Sequence, residues 1–210
     1  NQALSHVKSE LVLLLDIDSI PDKDALQKML PLIRNPDVSA VSGVLYPLNE
    51  AEGLLSQIFR FEISAWKGLS LAKDRLGWFV QATGGDSLIR VSSILKIGGW
   101  DESSISEDND LAIRLWINKG RIRLASVNFG VEAPAKLSEF LKQRFRWYRG
   151  AMDVYRKHFK DLVKLGFLEK LDLSFTFLAP VFVALVIPLI VASLIQSGFM
   201  RVLLFYIVLM

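Results

Sequence analysis

A run of 28 residues without a charged side chain, at positions 173–200, limits how this chain can fold more than any other feature. The run is long enough for one helix to cross a bilayer with some tilt. Its prolines, Pro180 and Pro188, are better tolerated in membrane helices than in soluble ones. The alternative is a helix buried in a globular core. Because the run has no polar face, we predict a transmembrane helix over 173–200 and the start of a second membrane segment over 201–210.

The residues before this run form a basic segment. Positions 142–170 contain nine Lys and Arg and three acids, a net charge of +6, whereas the whole chain of 210 residues carries +3 and the remainder therefore −3. Positive charge beside a membrane span stays on the cytoplasmic side. We therefore predict an integral membrane protein with residues 1–170 in the cytoplasm. Because the basic residues are concentrated beside the span, membrane lipids are an expected partner, and nucleic acid is not.

Composition excludes several classes of protein. The chain has no cysteine, which excludes a disulfide scaffold, a thiolate metal site and a cysteine nucleophile. Hydrophobic residues make up 51% of the chain, which excludes a disordered protein. The chain starts at Asn1 and ends inside an apolar stretch, so we expect a fragment of a longer protein.

Strand and helix patterns alternate upstream of the uncharged run. The apolar stretch at 11–15 is typical of a strand buried on both faces of a sheet. Glycines and capping residues separate the later segments. Their order predicts an α/β layered domain. The predicted strands are 11–15, 38–45, 79–82, 87–90 and 121–127, and the predicted helices are 21–34, 52–75, 91–97, 107–118 and 137–159.

Two carboxylates, Asp16 and Asp18, follow the first predicted strand. Residues two apart in a strand project to the same face, and open α/β sheets bind ligands at the carboxyl ends of their strands. A divalent cation that also holds a diphosphate would relieve the repulsion between the two acids. A polar turn in which Asp18 or Ser19 caps the next helix would explain the same residues.

Ser106, Glu107 and Asp108 begin another predicted helix, with Ser106 as its N-cap. A carboxylate fixed at a helix start can remove a proton from an attacking hydroxyl group. Acids in a first helical turn are also favoured by the helix dipole, without any function.

Four residues of the last predicted helix, Gln143, Arg146, Trp147 and Gly150, are spaced to share one face. That face offers an amide for hydroxyl groups, a guanidinium that matches phosphate oxygens and an indole that stacks on a sugar ring. An amphipathic helix at a membrane interface would show the same mixture of basic and aromatic residues.

Two glycine pairs precede polar or aromatic side chains. Gly84-Gly85 comes before Asp86, and Gly98-Gly99 comes before Trp100. Glycine lets the backbone approach a ligand closely, although two tight turns would explain both pairs equally. Asp86 and Trp100 are the side chains that we expect to contact a ligand.

The motif order D-x-D, G-G-D, E-D and Q-R-F-R-W, followed by an apolar segment, resembles the processive family-2 glycosyltransferases. These are the membrane synthases of cellulose, hyaluronan and poly-N-acetylglucosamine. The resemblance is carried by LLLDIDSIPDKDAL, SLIRVSSILKIGGWDE, SEDNDLAIRL and QRFRWYRG, and it covers nearly the whole chain.

The resemblance implies a GT-A (Rossmann-like) fold, an inverting mechanism and a nucleotide-sugar donor such as a UDP-sugar. It implies a partial catalytic domain over 1–136 and a helical region with the Q-x-x-R-W motif over 137–172, before the membrane helix. The family's nucleotide-binding strand and acidic pair would precede Asn1, and later membrane helices would follow. This piece alone is therefore expected to be inactive.

The resemblance also implies roles for the motif residues. Asp108 would be the catalytic base, with Ser106 in place of the family's usual threonine. Asp18 would hold Mg²⁺ or Mn²⁺. The expected donor and diphosphate ligands are Asp16, Asp18, Gln143 and Arg146, and the residues expected at the glycan or lipid-linked acceptor are Asp86, Trp100, Glu107 and Trp147.

Three functions remain open on the sequence. The first is polymer synthesis, which the Q-x-x-R-W motif favours. The second is addition of one sugar to a lipid or small acceptor by a non-processive relative. The third is a catalytically inactive, membrane-anchored binding protein of the same fold, against which the intact acids at 16, 18, 107 and 108 argue.

Overall fold

A computed structural model describes residues 1–49, 53–82, 84–196 and 198. Its strands and helices alternate as the sequence predicts for an α/β domain, after a short 3₁₀ helix at Ala3–His6. The strands are β1 (Leu11–Leu14), β2 (Ile20–Pro21), β3 (Val38–Pro47), β4 (Ser87–Arg90) and β5 (Arg121–Val131). The helices are α1 (Ala25–Ile33), α2 (Leu54–Leu76), α3 (Val91–Lys96), α4 (Glu107–Ile117), α5 (Leu137–Leu162) and α6 (Phe167–Gln196).

The five strands form one mixed sheet in the order β1-β4-β3-β5-β2. β3 and β5 pair in parallel, with Leu45 opposite Phe129. The other pairs are antiparallel. β1 differs from the prediction, because its residues are half-buried and it pairs antiparallel with β4 in the described part of the chain. The sheet brings the end of β1 next to the turn that enters β4.

Two apolar clusters cover the two faces of the sheet. On one face, α1 packs Met29 and Ile33 against Val41 and Phe129 of the strands. The opposite face is covered by α2, α4, α5 and the first part of α6. A sheet with helices on both faces buries its apolar side chains on both sides, which is the arrangement that an α/β sequence pattern predicts.

Two predicted elements are wrong. Residues 79–82 form no strand, although Phe79 and Val80 are buried, because they extend across the core without a ladder partner. The helix predicted from residue 21 begins instead at Ala25. Ile20 and Pro21 pair with β5, and Asn128 donates hydrogen bonds to Asp22, so this segment is held in the sheet.

The start of α6 packs on the globular part of the chain. Lys73 of α2 makes an ion pair with Asp172 at 2.9 Å and donates a hydrogen bond to Thr176 at 2.6 Å. Leu173 and Phe177 are fully buried in the core. Within the described residues, no helix combines the length and apolar character required to cross a membrane, so the predicted span over 173–200 is not supported. The segment predicted over 201–210 lies outside the described residues.

Candidate active site

The loop after β1 carries Asp16 and Asp18 to the surface of the domain. Gly85 lies against it, since a Cβ atom at Gly85 would lie 2.6 Å from the Asp16 backbone nitrogen. Partial burial, followed by the charges of Asp18 and Glu107, raises the pKa of Asp16, while Arg146 lowers it. The loop, α4 and α5 therefore bring three acids and one arginine within electrostatic range.

Asp86 lies behind this loop and is fully buried. The hydroxyl group of Ser19 donates to Asp86 Oδ1 at 2.5 Å, whereas Oδ2 has no hydrogen-bond partner. Burial raises the pKa of Asp86 to about 6, the Ser19 hydrogen bond opposes the shift, and the charges of Asp16 and Asp18 add to it. Asp86 supports the loop from inside, and its expected contact with an acceptor stays a prediction.

Asp108 lines a cavity of about 360 Å³ at the end of β1. The wall includes Asp16, Trp100 and Glu107, so the structure joins four of the predicted site residues in one space. Gly84 lies beside Asp108, with 3.4 Å between a Cβ atom placed on it and Asp108 Oδ2. The positive φ of Gly84, 63°, favours glycine at this position.

The Asp108 carboxylate is fixed by two hydrogen bonds to the same oxygen. Ser106 Oγ donates to Oδ1 at 3.0 Å, and the backbone N–H of Asn109 donates to Oδ1 at 2.7 Å. Ser106 occupies the N-cap position as predicted, but its hydroxyl group bonds Asp108 and makes no side-chain cap. Burial raises the pKa of Asp108, and the two hydrogen bonds oppose the shift without cancelling it. A half-buried carboxylate with a raised pKa suits a general base.

A second cavity, of about 680 Å³, lies on the other side of the D-x-D loop. Asp18, Gln143 and Arg146 line it, together with Lys142. Two of the residues predicted from Q-R-F-R-W therefore face Asp18 across one space. Guanidinium and ammonium groups beside a carboxylate suit a diphosphate that is bound together with a cation.

Gln143 Oε1 accepts a hydrogen bond from Arg144 Nη1 at 2.7 Å, and Trp147 lies against the same arginine. Its ring lies 4.3 Å from the guanidinium carbon of Arg144, which is also stacked on Phe140. Arg144 is buried and makes an ion pair with Glu62 of α2 at 2.5 Å. No role was predicted for Arg144 from the sequence, although helical spacing places it on the inner face of α5 with Phe140 and Trp147.

Of the four residues predicted to share one face of α5, Gly150 lies at the contact with α4 and does not line the second cavity. Gly150 faces Ser106, because a Cβ atom at Gly150 would lie 2.7 Å from Ser106 Cβ. One turn further along α4 and two turns further along α5, buried Asp110 accepts hydrogen bonds from Lys157 and His158, both at 2.8 Å. No sequence motif singled out Asp110, whose partners lie 47 and 48 residues away.

A divalent cation fits the acids around the D-x-D loop. Asp16 and Asp18 lie at the surface on one loop, and partial burial followed by the like charges of Asp18 and Glu107 raises the pKa of Asp16. Carboxylate oxygens are the ligands that Mg²⁺ and Mn²⁺ prefer. The described residues contain no ready-made group of three His or acidic ligands. Asp18 would therefore hold a cation together with oxygens from a ligand, as Mg²⁺ commonly does with phosphates.

Sequence comparisons identify related enzymes. The glycosyl transferase family group 2 pattern matches residues 11–210. Probable glycosyltransferase YdaM of Bacillus subtilis (strain 168) is 30% identical over 170 residues, which are 79% of this chain and 40% of that protein. Glucomannan 4-beta-mannosyltransferase 2 of Arabidopsis thaliana is 27% identical over 185 residues, which are 82% of this chain and 34% of that protein. The chain thus spans less than half the length of either relative.

The fold is shared with a solved glycosyltransferase. Mannosyltransferase PcManGT from Pyrobaculum calidifontis, solved in complex with GDP-Man and Mn²⁺, superposes with a TM-score of 0.60 at 19% identity. The superposition covers 76% of this chain and 42% of that chain. It supports an α/β, GT-A-like fold with a mixed sheet. With the family pattern matched over residues 11–210, the chain belongs to glycosyl transferase family group 2.

Proposed function

We propose that this chain forms the acceptor and diphosphate side of an inverting, nucleotide-sugar-dependent glycosyltransferase. In the proposed reaction the acceptor hydroxyl oxygen forms a bond to the anomeric carbon of the donor sugar. The bond from that carbon to the diphosphate oxygen breaks, and its electron pair leaves with the nucleoside diphosphate. The hydroxyl proton passes to Asp108. The products are a glycoside, a nucleoside diphosphate and a proton held by the enzyme.

The observation that carries this proposal is the environment of Asp108. Its Oδ1 atom accepts two hydrogen bonds, and burial raises its pKa, so the carboxylate is both fixed and basic. It lines a cavity in which Trp100 supplies an aromatic surface and Glu107 a second carboxylate. Aromatic rings and carboxylates are suited to the apolar faces and hydroxyl groups of a sugar. We therefore assign the acceptor to this cavity.

The leaving group is assigned to the second cavity. Arg146 and Lys142 provide positive charge there, and Gln143 provides an amide. Arginine can hold two phosphate oxygens at once and stabilise the negative charge that develops as the diphosphate departs. A Mg²⁺ or Mn²⁺ ion held by Asp18 would add Lewis-acid stabilisation of the same charge. The loop carrying Asp16 and Asp18 separates the two cavities, so donor and acceptor would meet at this loop.

Names of relatives guide the choice of donor. Glucomannan 4-beta-mannosyltransferases occur among them, and PcManGT was solved with GDP-Man. We therefore propose GDP-mannose as the first donor to test, with UDP-glucose and UDP-N-acetylglucosamine as alternatives. A growing polysaccharide is the proposed acceptor, and a lipid-linked or small acceptor is the alternative. Sizing of the product distinguishes them, because a ladder of lengths indicates repeated transfer and one product indicates a single addition.

We also propose that the full-length protein is held in a membrane with this part on the cytoplasmic side. The proposal rests on the uncharged run at 173–200 and on the +6 charge of residues 142–170. We expect the protein to stay with the membrane fraction after alkaline carbonate extraction. Release into the supernatant would contradict the proposal.

The reaction is tested with full-length protein, a panel of nucleotide sugars and the variant Asp108→Asn. We expect turnover to fall at least about 10²-fold, the usual scale for a general base, with donor binding retained. Asp161→Asn is the matched control, because Asp161 is an exposed carboxylate that pairs with Lys164 on the surface. Near-normal turnover of Asp108→Asn would show that another group is the base.

A further inference from the structure

A chain of side-chain hydrogen bonds leads from α2 to the carboxylate of Asp108. Trp66 Nε1 donates to Gln81 Oε1 at 3.4 Å, and Gln81 Nε2 donates to Asn109 Oδ1 at 3.0 Å. Asn109 Nδ2 then donates to Ser106 Oγ at 2.7 Å, and Ser106 Oγ donates to Asp108 Oδ1 at 3.0 Å. All of these side chains are buried or half-buried. The side chains of Gln81 and Asn109 are the middle members of this series of hydrogen bonds.

Trp66, the first residue of this series, fixes which atom donates and which accepts in every hydrogen bond that follows. An indole N–H can only donate a hydrogen bond, so the atom of Gln81 that faces Trp66 must be the oxygen. The amide nitrogen of Gln81 must then face Asn109, which turns its own oxygen toward Gln81 and its nitrogen toward Ser106. Because the Ser106 oxygen accepts from Asn109, its proton is directed to Asp108. Each hydrogen bond also polarises the next in a medium of low dielectric constant.

We infer that Trp66, Gln81 and Asn109 are positioning residues that hold the Ser106 hydroxyl group as a donor to Asp108 and so reserve Oδ2 for the acceptor. Oδ1 already accepts two hydrogen bonds, one from the Ser106 hydroxyl group and one from the Asn109 backbone N–H. Oδ2 lies on the side of Gly84, 3.4 Å from the position of a Cβ atom placed on that glycine. The inference rests on the proposed role of Asp108 as base.

These hydrogen bonds should change the pH dependence of the reaction. Donors to the ionised carboxylate favour the charged form, so their loss raises the pKa of Asp108. Among the described residues that line this cavity, the titratable side chains besides Asp108 are Glu107, beside it on α4, and Asp16, across the cavity. Gly84, Trp100 and Gly150, which lie around Ser106 and Asp108, are uncharged. A rise in the pKa means that a higher pH is needed to ionise the base.

The test measures kcat/KM against pH for full-length protein with substitutions along the chain. Ser106→Ala removes the donor. We expect the acidic limb of the pH profile, where kcat/KM rises as the base ionises, to shift to higher pH by about one unit, the scale of a hydrogen bond to a charged group. Gln81→Leu and Asn109→Leu should move the limb in the same direction by no more than Ser106→Ala. Trp66→Phe keeps an aromatic ring in the core and should shift the acidic limb by a smaller amount. It therefore tests the inference even if Gln81→Leu does not fold.

The double variant Ser106→Ala/Asn109→Leu separates positioning from a general structural effect. If Asn109 acts through Ser106, the double variant has the acidic limb of Ser106→Ala alone. Additive shifts, or a limb that stays within about 0.2 pH unit in Gln81→Leu and Asn109→Leu, would overturn the inference. Asn118→Leu is the matched control, because Asn118 lies at the other end of α4 and is exposed.

Asp108→Asn, measured in parallel, distinguishes the two possible failures. If Asp108→Asn is inactive and the acidic limb does not respond to Gln81 or Asn109, the reaction stands and the positioning chain is wrong. If Asp108→Asn turns over normally, the base has been misassigned, and these hydrogen bonds have no base to position.

Discussion

Gly150 of α5 lies directly against Ser106, the residue that begins α4 and donates to Asp108. A Cβ atom at Gly150 would lie 2.7 Å from Ser106 Cβ and 3.3 Å from Ser106 Oγ. The absence of a side chain therefore sets how closely α5, with its Q-x-x-R-W motif, approaches the proposed base. Gln143 and Arg146 lie two turns and one turn before this contact on the same helix.

Gly150→Ala should separate the two helices. Overpacking of a tight contact costs about 1–3 kcal/mol, and the shift would move Arg146 relative to Asp108. We expect a lower unfolding midpoint and a turnover reduced by at least about 10-fold. Gly68→Ala is the matched control, because Gly68 lies within helix α2 with no atom within 4 Å of its Cβ position. That change should stabilise the protein by about 0.5–1 kcal/mol, and equal effects at both glycines would contradict the packing argument.

Asp110→Asn should destabilise the junction of α4 and α5. Buried Asp110 accepts from Arg114 at 2.6 Å, in addition to Lys157 and His158, so the variant removes the carboxylate that Arg114 and His158 contact, while Lys157 keeps its ion pair with Asp101. We expect a loss of about 3 kcal/mol in the free energy of unfolding, measured with urea. The exposed pair of Asp161 and Lys164 again gives the control, because Asp161→Asn should leave the urea midpoint unchanged.

The same carboxylate predicts how stability depends on pH. Burial would raise the pKa of Asp110, but hydrogen bonds from His158, Lys157 and Arg114 outweigh burial and lower the pKa to about 2, from the ordinary 3.8. A depressed pKa means that its stabilisation is complete above pH 3.8 and is lost as the pH falls to 2. Acid unfolding of the wild type and Asp110→Asn should therefore converge over this range. A constant difference between them would contradict the assignment.

Arg144 and Arg146 should give opposite results although they are two residues apart. Arg144→Ala removes a buried guanidinium that pairs with Glu62 and stacks on Phe140 and Trp147, so we expect a loss of about 2–4 kcal/mol in stability. Arg146→Ala changes an exposed side chain at the second cavity, so stability should change by less than about 0.5 kcal/mol. Its affinity for a nucleoside diphosphate should fall. Thermal unfolding and nucleotide titration of both variants check the contrast.

Asp18→Ala should abolish the effect of Mn²⁺ on nucleotide binding. If Asp18 holds the cation, titration of the wild type with a nucleoside diphosphate tightens when Mn²⁺ is added, and titration of the variant does not. Asp24→Ala is the control, because Asp24 is exposed and pairs with Lys28 at 2.9 Å. An unchanged response to Mn²⁺ in Asp18→Ala would rule out this metal ligand.

Local patterns in the sequence identify most of the strands and helices and all of the motif residues. Apolar periodicity located α2, α4 and α5 to within a few residues, because one face of each helix must be buried. The carboxylates after β1 and at the start of α4 were identified because their chemistry needs short, local patterns. The resemblance carried by these motifs agrees with the family assignment.

Contacts between distant residues were decided only by the tertiary structure. Apolar residues 79–82 resemble a strand, yet they have no ladder partner, since pairing depends on which neighbour the fold supplies. Of the two arginines in Q-R-F-R-W, burial against α2 selects Arg144 for structure and leaves Arg146 at the cavity.

The connection from Trp66 through Gln81 and Asn109 to Asp108 joins three separate segments. No local pattern encodes it, because a hydrogen bond between side chains requires both of them to be brought within about 3 Å by packing. The sequence therefore specified which groups could do chemistry, and the packing of α4 against α5 and β5 decided which of them work together.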